Sequence, residues 1–159
     1  RPGDRRDARR AACKECELST QPVRLVLDTN VVASAILWGG TPRLMLHAAR
    51  EKRVELFTST AMLAELTDIL GRRKFAKKTA ASQLTIDQLV DGYAQLAALV
   101  RPTDIARVAP DPDDDVVIGT ALAAKAELIV TGDKPLLAVS EHQGVKIVGV
   151  SEAVKALAP

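Results

Sequence analysis

At 159 residues the chain is one domain's worth, and a hydrophobic fraction of 47% is ample for a core, which must be aliphatic because aromatics are only 3%. No apolar run approaches the roughly 20 residues of a membrane span and no segment reads as a signal peptide, so the expected setting is cytoplasmic, away from any membrane. The net charge of +2 sits in residues 1–22, which hold six basic and four acidic side chains; the remainder is balanced at 16 of each, so global charge gives no argument for nucleic acid.

Residues 1–22 read as a polar N-terminal extension. Its Cys13 and Cys16 form a C-x-x-C without the two further ligands of a structural zinc site and without the strand and helix of a redox motif; the reading is two thiols in a flexible leader. Residues 23–159 read as a single domain.

Val23 to Leu27 is an apolar run interrupted only by Arg24, a buried parallel strand that ends in Asp28, Thr29 and Asn30. A short helix over 31–37 stops at Gly39 and Gly40, and a second is expected from Pro42 to Arg50 with Thr41 as its cap. Val54 to Phe57 is the next strand. Thr58, Ser59 and Thr60 offer caps for a helix through Leu70, whose Met62, Leu63, Leu66, Ile69 and Leu70 keep the spacing of an apolar face, with Glu65 beside it. After Gly71 comes a basic run, Arg72, Arg73, Lys74, Lys77 and Lys78. Thr85 caps a helix expected over Ile86–Leu99, and Ile105 to Val108 reads as a weak edge strand. Pro110 to Asp115 is an acidic turn entering a small-residue helix. Leu128–Thr131 and Val145–Val150 complete the strands, and a last helix is expected with Ser151 as cap. This alternation predicts an open parallel sheet with helices on both faces.

In such sheets ligands sit beyond the carboxyl ends of the strands, where the strand order reverses. Asp28 and Asp133 each directly follow an apolar strand, which makes them expected neighbours. With Glu65 and one or more of Asp111, Asp113, Asp114 and Asp115 they concentrate negative charge. Two carboxylates about 4 Å apart repel by roughly 4 kcal/mol at an effective dielectric near 20, so a converging set calls for a cation. Oxygen ligands without His or Cys suit Mg²⁺ or Mn²⁺, and the implied chemistry is phosphodiester hydrolysis. Each residue also has a structural explanation: Asp28 as a helix cap, Glu65 as a boundary residue, Asp133 as a turn residue, the aspartate run as a solvated helix start. Their joint placement favours a site. His47 and His142 read as ordinary side chains; Trp38, beside Gly39 and Gly40, has two readings, stacking on a base or packing against a partner, and packing is the one expected.

The segments RLVLDTNVVASAIL, LAELTDILGRRKF and DPDDDVVIGTALAAKAELIVTGDKPLL resemble the PIN-domain family, especially the prokaryotic branch of toxins from toxin–antitoxin pairs, over residues 23 to about 150. The resemblance implies a three-layer α/β/α, Rossmann-like sandwich around a mostly parallel sheet, and a Mg²⁺- or Mn²⁺-dependent ribonuclease acting on single-stranded regions of RNA. It puts the four acidic positions, catalytic and metal-binding, at Asp28, Glu65, Asp114 and Asp133, and bordering polar positions at Asn30 and Thr131. It also implies an antitoxin protein as partner and leaves a homo-oligomer open. Rival readings are a non-catalytic PIN-fold scaffold that binds RNA or protein, and a receiver-like phosphate acceptor. Against a receiver, Asp28 is followed by Thr29 and Asn30 rather than by an acidic partner; against a nucleotide-binding module, the related alternative, no glycine-rich phosphate loop is present.

Helical spacing chooses within the acidic run. Asp114 lies above Val117, Ile118 and Ala121 at offsets of three, four and seven, so it shares their inward face, with Asp113 and Asp115 to either side. Asp111 precedes the helix and either shapes the turn or supports the site. Arg72, Arg73 and Lys74 are candidates to hold the RNA backbone, or equally charges that favour a helix C-terminus.

Overall fold

The first apolar run forms β1 (Val23–Leu27), the central strand in a computed structural model that describes residues 21–157. The C-x-x-C pair and the leader to residue 20 lie outside the described residues. β1 runs parallel to β2 (Val54–Thr58) on one side, with Val23 opposite Val54, and to β4 (Leu128–Val130) on the other, with Leu25 opposite Leu128. β3 (Ala97–Leu99) adds parallel to β2, and β6 (Val145–Val148) parallel to β4. A two-residue strand, β5 (Glu141–His142), closes the far edge antiparallel to β6, giving the order β3-β2-β1-β4-β6-β5.

Around this sheet lie α1 (Thr29–Leu37), α2 (Gly40–Arg50), α3 (Thr60–Leu70), α4 (Ala76–Ala81) with a 3-10 turn at Arg73–Phe75 before it, α5 (Ile86–Leu96), α6 (Pro112–Ala124), α7 (Lys134–Val139) and α8 (Val150–Leu157). Side-chain alternation along β1 divides the core between the two faces. Leu25 and Leu27 pack with Val32, Met45, Leu66 and Tyr93, whereas Val26 packs with Val117, Ile118 and Ile129. Hence α1, α2, α5, α8 and most of α3 cover one face and α6 and α7 the other, the expected three layers. Leu25, Leu27 and Ile129 are 0% exposed, and burial of each contributes on the order of 2 kcal/mol. Among the described residues no helix is long and apolar enough to cross a membrane.

The chain departs from the sequence expectations at several element boundaries. The helix expected to reach Leu99 stops at Leu96: Ala97 turns to φ −109 and ψ 142, and Ala97–Leu99 pairs with β2 as the third strand. Ile105–Val108 is not a strand. That irregular stretch runs close to α6, where the Thr103 N–H donates to the Gly119 carbonyl at 3.0 Å and a side chain at Gly119 would collide with the Thr103 carbonyl oxygen. Only glycine allows this approach. Thr41 does not cap α2; the helix starts at Gly40 behind Gly39, whose φ of 76 makes the turn, and Arg43 donates to the Ala35 and Ile36 carbonyls to tie the end of α1 to it. α8 begins at Val150, one residue ahead of Ser151. Elsewhere the caps are as expected: the Ser59 hydroxyl accepts from the Met62 N–H, and Thr85 forms a reciprocal capping box with Gln88.

From β1 the chain moves outward through β2 to β3, then crosses back to place β4 on the other side of β1. The strand order therefore reverses between β1 and β4. A crevice opens there beyond their carboxyl ends, where Asp28 leaves β1 and Thr131 to Asp133 leave β4.

Candidate functional site

Asp28 continues the sheet for one residue, its N–H donating to the Val130 carbonyl at 2.9 Å, and its own carbonyl accepts the Val31 and Val32 N–H groups that open α1. Its side chain makes no capping bond to that helix. Instead Oδ2 accepts the Thr131 hydroxyl at 2.7 Å. Because Thr131 Oγ1 in turn accepts the Asp133 N–H at 3.0 Å, the hydroxyl proton is committed to Asp28. Asp28 is 4% exposed and Thr131 0%. Burial pushes the Asp28 carboxyl up from its ordinary range, the hydrogen bonds from Thr131 and the Thr29 backbone pull it down, and the charge of Asp133 raises it again.

Asp133 is the N-cap of α7, a helix not among those expected, and accepts the Leu136 N–H at 3.3 Å. Asp111 is the N-cap of α6 and accepts the Asp113 N–H at 2.9 Å. Asp115 Oδ1 accepts two backbone amides, Val108 at 3.1 Å and Ala109 at 2.8 Å, pinning the preceding segment to the helix. Asp113 is exposed. Asp114, half-buried between them, makes none of these structural bonds. Its carboxyl is pushed up to about 7 by burial first, then by the charges of Asp133, Asp28 and Asp111, and last by side-chain hydrogen bonding with Asp133.

Glu65 enters from α3. It accepts the Thr29 hydroxyl at 3.3 Å, and its carboxyl is raised by burial, then by the charges of Asp113 and Asp28, with Asp111 the least. The charges of Asp28 and Asp111 thus act on both Asp114 and Glu65, joined by Asp133 at the first and by Asp113 at the second.

The structure gathers Asp28, Glu65, Asp114, Asp133, Thr131 and Asp111 at the β1–β4 crevice. Asn30 is exposed and makes no side-chain hydrogen bond among the described residues. The polar residue behind Asp28 that touches a carboxylate is Thr29, which is buried and was missed. Its signal was position: as the first residue of α1 it sits one place after a strand-end aspartate, where the helix turns its side chain towards α3. Arg72, Arg73 and Lys74 lie exposed beyond the C-terminus of α3, and Arg72 is about 10 Å along the helix direction from Glu65 at 1.5 Å per residue.

The donor set is all oxygen and all anionic. Among the described residues the salt bridges are Arg24–Glu55 and Arg53–Glu51, so none of these carboxylates is neutralised by a Lys or Arg. No three His, Cys, Asp or Glu side chains among the described residues stand in chelating positions as they are. The chemistry of the donors nevertheless fits a hard divalent cation, because like charges this close hold side chains apart that a cation would draw in.

A family model described as a PIN domain matches residues 24–135. Comparison with curated proteins gave no match. Among solved structures, the chain is similar to one in the crystal structure of VapBC2 from Rickettsia felis bound to a DNA fragment from their promoter, at 15% identity, covering 80% of this chain and 98% of that one with a TM-score of 0.54. At that identity the likeness is one of fold.

Proposed function

The chain belongs to the PIN-domain family, and from that premise we propose that it is a Mg²⁺- or Mn²⁺-dependent endoribonuclease that hydrolyses RNA phosphodiester bonds, working as the toxin of a toxin–antitoxin pair. The observation that carries the reading is the convergence of unneutralised carboxylates on the β1–β4 crevice, expressed most strongly at Asp114.

Asp28, Asp114 and Asp133 would hold the ion, and Glu65 completes the set from α3. When bound, the ion supplies charge neutralisation at the scissile phosphate and lowers the pKa of water. The protein's own groups orient the anions. Thr131 fixes one oxygen of Asp28, the Leu136 N–H fixes one of Asp133, and Thr29 steadies Glu65. Glu65, made more basic by burial and by Asp113 and Asp28, is suited to take a proton from the attacking water. Arg72, Arg73 and Lys74 are proposed to hold the RNA backbone.

A toxin role brings an antitoxin protein as partner and admits a homo-oligomer; the fold-level likeness to a VapBC2 chain supports it. The test is cleavage of a defined single-stranded RNA with added Mg²⁺ or Mn²⁺, compared with chelator and with Asp28→Asn. Cleavage by the native chain alone, and only with metal, is expected. No cleavage under any metal condition would leave a binding scaffold as the better description, and cleavage that persists in chelator would overturn the metal-dependent mechanism.

A further inference from the structure

Away from the carboxylates, an aromatic pair stands on the surface among cations. Trp38, the residue after α1, packs its ring against Phe75 edge to face at 5.1 Å and 83°, yet remains 51% exposed. The Lys78 ammonium lies 5.8 Å from the centre of the Trp38 ring and that of Lys74 4.9 Å from the centre of Phe75. Arg72, Arg73 and Lys77 are exposed beside them, and none of the five cations is in a salt bridge among the described residues.

Position gives this cluster its meaning. α1 and α3 pack side by side, joined at one end by the Thr29–Glu65 hydrogen bond and at the other by the Trp38–Phe75 contact beyond their C-termini. Nine residues separate Thr29 from Trp38, about 14 Å of helix. A polyanion crossing the site would meet cations and an open ring at that distance. Protein–protein contact cores are depleted in lysine, whereas single-stranded nucleic acid is held by aromatic faces set among basic side chains, so charge complementarity favours the latter.

We propose that Trp38, backed by Phe75, is a stacking platform for an unpaired RNA base, with Lys74, Lys77 and Lys78 taking the adjoining phosphates, so that the strand runs along α1 and α3 to the carboxylates. This rests on the ribonuclease reading and adds to it a binding site remote from the chemistry.

Trp38 is the single tryptophan, so its fluorescence reports the platform directly. The full chain is titrated in chelator with a short unstructured oligouridylate, with an abasic strand of equal length, and with a duplex, alongside binding measured by anisotropy of a labelled strand. Quenching by the oligouridylate is expected, with little from the abasic strand or the duplex. Trp38→Ala should weaken oligouridylate binding by about 5- to 150-fold while Trp38→Phe, which keeps a ring, retains most of it. Binding without quenching, or equal affinity for the abasic strand, would overturn the platform and leave the ribonuclease reading standing. So would unchanged RNA affinity in Trp38→Ala accompanied by weaker self-association in sedimentation, which would make the ring a protein contact. No RNA binding by the native chain either in chelator or with added Mn²⁺ would overturn both.

Discussion

Replacing Asp114 with asparagine should make the metal-free protein more stable. Burial, then Asp133, Asp28 and Asp111, lift this carboxyl from 3.8 to about 7. A carboxyl whose folded value is raised holds a proton that the unfolded chain has already released, so folding stability falls as pH rises from about 4 to 7, and the whole penalty is present above 7. The gap of about three units would correspond to about 4 kcal/mol for a fully shielded group. Asp114 is partly open to solvent, and screening reduces the figure to about 1–2 kcal/mol. Asn keeps the shape and removes the charge. In chelator at pH 8, Asp114→Asn should gain that amount, about 2–8 °C in Tm for a chain of this size, and at pH 4 the two proteins should melt alike. Thermal melting at both pH values measures it. A variant no more stable than the native chain at pH 8 would refute the claim that its neighbours repel this carboxylate.

Millimolar Mg²⁺ or Mn²⁺ should raise the melting temperature of the native chain, because the ion binds the folded site alone, and the shift should disappear in Asp28→Asn; equal melting with and without metal would count against the site. Changing Arg72, Arg73 and Lys74 together to Ala should weaken binding of single-stranded RNA and flatten its salt dependence by up to about two units of slope, with the metal-induced melting shift intact; an unchanged slope places the RNA elsewhere. Asp115→Ala strands the Val108 and Ala109 amides and should cost about 1–3 kcal/mol in urea unfolding, whereas Asp113→Ala, on an exposed side chain, should cost much less. Equal losses would remove the structural role given to Asp115.

What the sequence made legible follows from period and position. Asp28 stands out because it follows an apolar run at once, and Asp133 because it comes within three residues of another, the pattern of parallel strands opening on a crevice. Helical offsets within the acidic run pointed to Asp114 as the inward member, and its half-buried place beside Asp28 and Asp133 has that geometry. The end of α5 was not legible. Leu96 to Val100 is uninterrupted apolar chain with no Gly or Pro, as compatible with helix as with strand, and the choice is made by pairing with β2, a contact distant in sequence. Thr29 escaped because the helix was expected only from residue 31, which left it among the polar residues at the strand end, and its neighbour on α3 is distant in sequence. α7 was open to reading: Asp133 followed two places on by Pro135 is a cap and first-turn proline, but the aspartate had already been taken as a strand-end acid, and it is both. A two-residue strand such as β5 carries no periodicity of its own.

The central claim is that the carboxylates of the β1–β4 crevice cleave RNA with a divalent ion. Cleavage of one defined single-stranded RNA, followed as Mn²⁺ is titrated into the native chain, Asp28→Asn, Asp114→Asn and Asp113→Asn, tests it most directly. The account predicts metal-dependent cleavage by the native chain, near-complete loss in the Asp28 and Asp114 variants with their folds intact, and substantial activity in the Asp113 variant. Cleavage that persists in chelator, or that survives Asp114→Asn while Asp113→Asn abolishes it, would contradict the account.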